Sequence, residues 1–349
     1  MHSRDRTRHL PPPTPESLAQ DAADQRVYER CRAYVIEHAA GPVEGMFGPD
    51  SITWRLWREP ALLVAGVPAV MLQLGHPAIA TGIAQLSDFR EDILGRARRT
   101  FTSLYQLVFG DLDDALSASR RLHLLHRRVS GIIEDPGGPL HGAPFRANDQ
   151  DLLIWVGSTV SVLGRRVYER LVRPLDAAER AQWFREYLII SAASGIRPEN
   201  QPADVDGLDA WFEDRVHGSH MRLTPLAREV STALFNSAYT RGPLDEIVCA
   251  GLLPPQWREV LGLRWGKAEI ATFAAFAGAL RVYHRSYPVA LRAAPAWHQG
   301  MLRVARARGQ RESLIGRAIN AMDRRVDLPF SILPIADDIT EPEAVERVT

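Results

Sequence analysis

Cysteine is almost absent from this chain of 349 residues: only Cys31 and Cys249 occur, too far apart for a metal-binding spacing. That scarcity argues against a disulfide framework and a structural zinc site, and it fits a reducing, cytoplasmic setting. Charge of one sign is lacking as well. With 42 basic and 42 acidic side chains the formal net charge is zero, so no nucleic-acid partner is expected. The opening MHSRDRTRHLPPPTPES has neither the apolar core nor the small-residue cleavage site of a secretory signal. Residues 1–24 read as a disordered arm, and residues 331–349, acidic after Asp337, as a second tail.

Motifs for several common chemistries are missing too. No Glu-x-x-His pair occurs, which argues against a ferritin-like di-iron bundle. There is no His-Glu-x-x-His, no Gly-x-Ser-x-Gly, no Gly-x-Gly-x-x-Gly after a strand and no Cys-x-x-Cys-His, so any haem would be held non-covalently. His217 and His220 stand three apart but in a Gly/Ser-containing stretch without matching carboxylates, and read as surface loop residues. Extended alternation is scarce, and no βαβ rhythm or fixed-period repeat stands out.

What is present is helical periodicity almost throughout, which predicts an all-α fold: one large domain over residues 25–330. Helices are expected over 25–38, 52–58, 93–109, 112–130, 151–173, 176–194, 207–216, 225–236, 255–262, 267–287 and 296–323. Asp50 or Ser51 is placed to cap the second, and Asp111 or Asp113 the helix starting near 112. From Pro60 to Ser87 no charged residue occurs, a length that could span a bilayer. Pro68, Pro77, Gly66, Gly75, Gln73 and His76 interrupt it, so the run reads as a buried helix–turn–helix, with peripheral lipid contact left open.

One constellation carries chemistry. Ala115, Ala118, Leu122, Leu125, His126 and Val129 recur at three- and four-residue steps and form one apolar stripe, in which His126 is the sole ionisable member. A buried neutral imidazole is suited to bind iron; it is equally a core histidine satisfied by one hydrogen bond. His123 falls off that stripe, among Ser119, Arg120 and Arg127. Arg96 and Thr100, four apart, share a helical face and could hold a haem propionate, although RARR at 96–99 also reads as a solvated basic face. His76, at the Gly75-His76-Pro77 break, is a further pocket candidate or a capping residue, and the uncharged run Trp155–Gly164 suits a buried helix or an apolar pocket wall.

The strings GMFGPDSITWRLWREPALLVAG (45–66), LQLGHPAIATGI (72–83), RARRTFTSLYQLVFG (96–110), LHRRVSG (125–131), NDQDLLIWVGST (148–159) and GLLPPQWREVLGLRW (251–265) resemble the MpaB-type oxygenases, which share a catalytic domain with the latex clearing proteins. The resemblance spans roughly residues 40–290. It implies an all-helical fold, a non-covalent haem b and oxidative chemistry with dioxygen on an apolar, unsaturated or isoprenoid-like substrate. It further implies that His126 is the proximal iron ligand, that Arg96 and Thr100 line the haem pocket as catalytic and cofactor-binding residues, and that His76 belongs to a His-Pro motif of the pocket. The chain departs from the family pattern at Gly157, where many members carry histidine. That departure leaves a non-catalytic haem-binding or haem-sensing protein as the alternative, and the missing export signal argues against polyisoprene as substrate.

Overall fold

The computed structural model describes residues 15–86, 93–219, 221–235 and 242–326. Those residues form sixteen helices and one small hairpin, as the periodicity predicts. The first eight helices are α1 (Pro15–His38), α2 (Ile52–Trp57), α3 (Gly66–Leu74), α4 (Pro77–Leu86), α5 (Ile93–Phe109), α6 (Leu112–Arg127), α7 (Gln150–Leu171) and α8 (Ala177–Ala193). A 3-10 turn, Pro60–Ala65, leads into α3, and strands β1 (Ser130–Ile132) and β2 (Pro144–Arg146) pair antiparallel between α6 and α7. The chain continues through α9 (Val205–His217), α10 (Pro225–Phe235), α11 (Pro243–Leu252), α12 (Pro255–Val260), α13 (Lys267–Ser286), α14 (Val289–Arg292), α15 (Pro295–Ala307) and α16 (Leu314–Val326).

Local chemistry sets many of these boundaries. Ser51 caps α2 by accepting the Trp54 amide at 3.0 Å, and Asp111 caps α6 by accepting the Asp114 amide at 2.8 Å. The uncharged run folds back on itself: Pro60–Leu74 and Pro77–Gln85 meet at 108° across Gly75 and His76. Gly75 makes that bend fit, because a Cβ there would stand 2.1 Å from the Trp257 ring. Among the described residues no single helix is long and apolar enough to cross a membrane.

Two large clusters make up the core. One gathers α3, α7 and α8 with α9, α11 and α13 around Leu72, Trp155, Leu171 and Phe212. The other joins α1, α2, α5 and α15 around Cys31, Trp54, Tyr105 and Phe109. Polar ties fix their relation. The buried Glu186 carboxylate on α8 accepts the Ile52 and Thr53 amides at 3.1 and 2.6 Å, a negative charge at the N-terminus of α2. Arg165, 1% exposed, pairs with Asp209 and Glu169 and lies over Trp183, joining α7, α8 and α9.

Three expectations need correction. The segment 15–24, read as part of a disordered arm, belongs to α1, and its Asp21 and Asp24 pair with Arg146 at 3.2 and 2.8 Å. The expected helix 296–323 is two helices, parted at Gly309, whose φ of 64° suits glycine. The helix over 243–252 and the β1–β2 hairpin had no counterpart in the sequence reading. Residues 1–14, the tail 331–349 and His220 lie outside the described residues.

Candidate functional site

The turn between α5 and α6 is only two residues long, so the helices run antiparallel side by side. Arg121 on α6 donates to Gln106 on α5 at 2.6 Å and ties the two together. Counted back from that turn at about 1.5 Å per residue, the N-terminal half of α5, which carries Arg96 and Thr100, runs alongside the C-terminal half of α6, which carries His126. Thr100 is exposed, and the Arg96 side chain lies outside the described residues.

His126 is half-buried, and its Nδ1 is sealed from solvent without a hydrogen-bond partner. Burial pushes its pKa down to about 4, with His123 adding a smaller push the same way, so the ring is neutral at physiological pH. The apolar stripe proves to be rotated. Leu125, expected inside, is 59% exposed, whereas His123, expected outside, is 7% exposed and stacked on Tyr28 with ring centroids 4.5 Å apart. The cause is α1, which covers the His123 side of α6 and also pairs Asp21 with Arg127 at 3.0 Å. Burial lowers the His123 pKa too, and its Nε2 has no partner. The sequence placed His123 on the outer side of α6 and gave no sign of Tyr28 stacked on it. A local signal for His123 was its i, i+3 spacing from His126; the Tyr28 contact has no local signature.

His76 is buried at the head of α4, where its Nδ1 accepts the Ala78 amide at 3.3 Å and its carbonyl accepts the Ile79 and Ala80 amides. The ring thus caps the start of α4 by accepting an amide. Next to it, Gln73 on α3 donates to Thr159 on α7 at 2.8 Å and holds the two helices in contact.

On α7, every residue from 152 to 165 is buried except Val156, Gly157, Val160 and Ser161. These four repeat at one-turn spacing and form a single strip. Val160 and Ser161 line a cavity of about 20 Å³, room for one water-sized group, together with Trp57, Leu62, Trp183 and Tyr187. At Gly157 a Cβ would stand 3.0 Å from Ile196 Cδ1, so the fully buried Ile196 takes the space a larger side chain would need. Among the described residues no group of three or more His, Cys, Asp or Glu side chains could hold a metal ion by itself. An ion at His126 would have to bring other ligands with it, as a macrocycle does.

Comparison with known proteins follows the same outline. The family profile described as "ER-bound oxygenase mpaB/B'/Rubber oxygenase, catalytic domain" matches residues 54–282. Uncharacterized proteins of Mycobacterium bovis and Mycobacterium tuberculosis are each 21% identical to the chain over 230 residues, covering 63% of it and 87% of theirs. No solved structure matches.

Proposed function

The chain belongs to the mpaB/rubber-oxygenase catalytic-domain family, and from that premise we propose that it is a haem b-dependent oxygenase acting with dioxygen on an apolar, unsaturated or isoprenoid-like substrate. The observation that carries this reading is the His126 ring near the end of α6: neutral, with its Nδ1 sealed from solvent and unpartnered. A buried polar nitrogen without a partner costs about 1–3 kcal/mol. A neutral imidazole held at that cost suits a ligand to be supplied from outside the chain. When bound, haem b supplies a redox-active iron at which dioxygen is activated.

In this reading the protein residues have separate tasks. His126 would hold the iron of a bound haem through a ring nitrogen, and His123, stacked on Tyr28, would steady the helix that carries it. Arg96 and Thr100 would hold a haem propionate through a guanidinium and a hydroxyl, and His76 caps the start of α4 at the α3–α4 bend. The half-buried Val156 and Val160, with Val67 and Val70 on α3, give an apolar wall that excludes water and suits a hydrocarbon substrate.

The test is the visible spectrum of the chain after haem addition. A Soret band is expected in the wild type and is lost or strongly shifted in His126→Ala, and oxygen uptake follows with an alkene substrate. A wild type that takes up no haem would overturn the proposal. Haem binding without turnover across a broad lipid panel would favour the non-catalytic alternative, to which Gly157 points.

A further inference from the structure

The outward face of α6 is unlike the surface around it. Leu125 is 59% exposed and Leu124 38%, and the ridge that carries Leu124 continues at four-residue steps to Arg120 and Arg128. Both arginines are exposed and have no side-chain partner among the described residues. The acids of this helix, Asp113 and Asp114, sit at its other end, about 17 Å from Leu125 along the axis. In a chain of zero formal net charge, this end of α6 is locally cationic and apolar at once. Water is a poor solvent for two neighbouring leucines, and none of the described residues covers them.

We propose that this face, Arg120, Leu124, Leu125 and Arg128, docks the protein on an anionic lipid surface. Leucines entering the headgroup boundary between arginines that meet lipid phosphates are the arrangement of an interfacial helix. Charge complementarity selects the occupant. A second copy of the chain would set the same arginines against each other, whereas a bilayer bearing anionic headgroups neutralises both and also accepts the leucines. The consequence concerns delivery. His126 projects from the inner side of the same two turns, so docking holds the candidate site within about a helix diameter of the lipid, where an apolar substrate is most concentrated. The docking itself needs no haem, so the inference and the oxygenase reading fail independently.

The full chain without haem is sedimented with vesicles of phosphatidylcholine alone and with about 30 mol% phosphatidylglycerol added. Binding to the anionic vesicles is expected, weakening sharply in about 0.5 M salt. Each arginine near such a surface contributes about fivefold, so the double variant Arg120→Gln/Arg128→Gln should bind about twentyfold more weakly. Leu124→Ser/Leu125→Ser should also weaken binding, by about tenfold or more, with far-UV circular dichroism unchanged in both variants. No binding to anionic vesicles, equal binding to neutral ones, or binding that both variants retain would overturn the proposal. So would a concentration-dependent dimer that disappears in the leucine variant, since it would assign this face to a second copy.

Discussion

Replacing His126 by leucine separates a histidine kept for chemistry from one kept for packing. Above about pH 7 the wild-type ring is neutral in both the folded and the unfolded chain, and the difference between the two proteins is the buried Nδ1. Leucine removes that unpartnered atom and fills similar volume, so His126→Leu without haem should be as stable as the wild type, or more stable by about 1–3 kcal/mol. On acidification the two should diverge. The folded pKa is held down to about 4 against an ordinary 6.5, so the unfolded chain takes up a proton first and wild-type stability falls as pH drops through that interval. The full effect is about 3 kcal/mol, of which about 2 kcal/mol is lost between about pH 7.5 and pH 5. Leucine cannot titrate, so its chain should be spared that portion, while the buried His123, His284 and His298, whose pKa values are also lowered, leave both proteins a shared acid limb. Urea unfolding of both proteins at the two pH values measures the difference directly. If the two curves keep the same separation, the ring is not desolvated in solution, and its suitability for iron fails with it.

Three further outcomes rest on other contacts. Glu186→Ala leaves the Ile52 and Thr53 amides buried without their carboxylate and should cost about 3 kcal/mol in denaturant unfolding, against about 1 kcal/mol for Glu186→Gln, which keeps one acceptor. Gly75→Ala drives a methyl into the Trp257 ring, which is buried and donates its indole N–H to the Val216 carbonyl at 3.3 Å. A loss of about 2–3 kcal/mol with a change in tryptophan emission is expected, and an unchanged spectrum would mean the 108° bend is not held as described. Asp21→Asn, removing partly exposed pairs to Arg127 and Arg146, should cost less than about 1 kcal/mol at neutral pH. Its arginine partners hold the Asp21 carboxyl below the usual range, so that contribution is present above about pH 4 and disappears in stronger acid, as the thermal midpoint of wild type and variant should show.

Features written in local chemistry were legible in the sequence. Ser51 and Asp111 cap the helices they were expected to cap, and Gly75-His76-Pro77 breaks the uncharged run where glycine and proline predict. The fold class followed from periodicity, and the family from strings that the matched segment 54–282 largely contains. Features set by distant partners were not legible. The rotation of the α6 stripe depends on Tyr28, about a hundred positions upstream, and no pattern within the helix distinguishes His123 under that ring from Leu125 in water. The helical state of residues 15–24 is likewise supported by Arg127 and Arg146. The split at Gly309 was missed for a different reason: the apolar spacing persists on both sides, and only the positive φ of one glycine redirects the chain.

The segment that carries the family likeness is smaller than the unit that folds. The cluster around Trp54 and Phe109 draws Cys31 and Val35 from upstream of that segment and Ala296 and Val304 from downstream, and Gly300 lies where a Cβ would stand 2.8 Å from the Trp54 ring. A protein trimmed to 54–282 would strip one flank of α6 to water, remove the cap of α2 and open a seam along Trp54. Homology would call such a fragment the catalytic domain; by its contacts it is an interior without part of its shell.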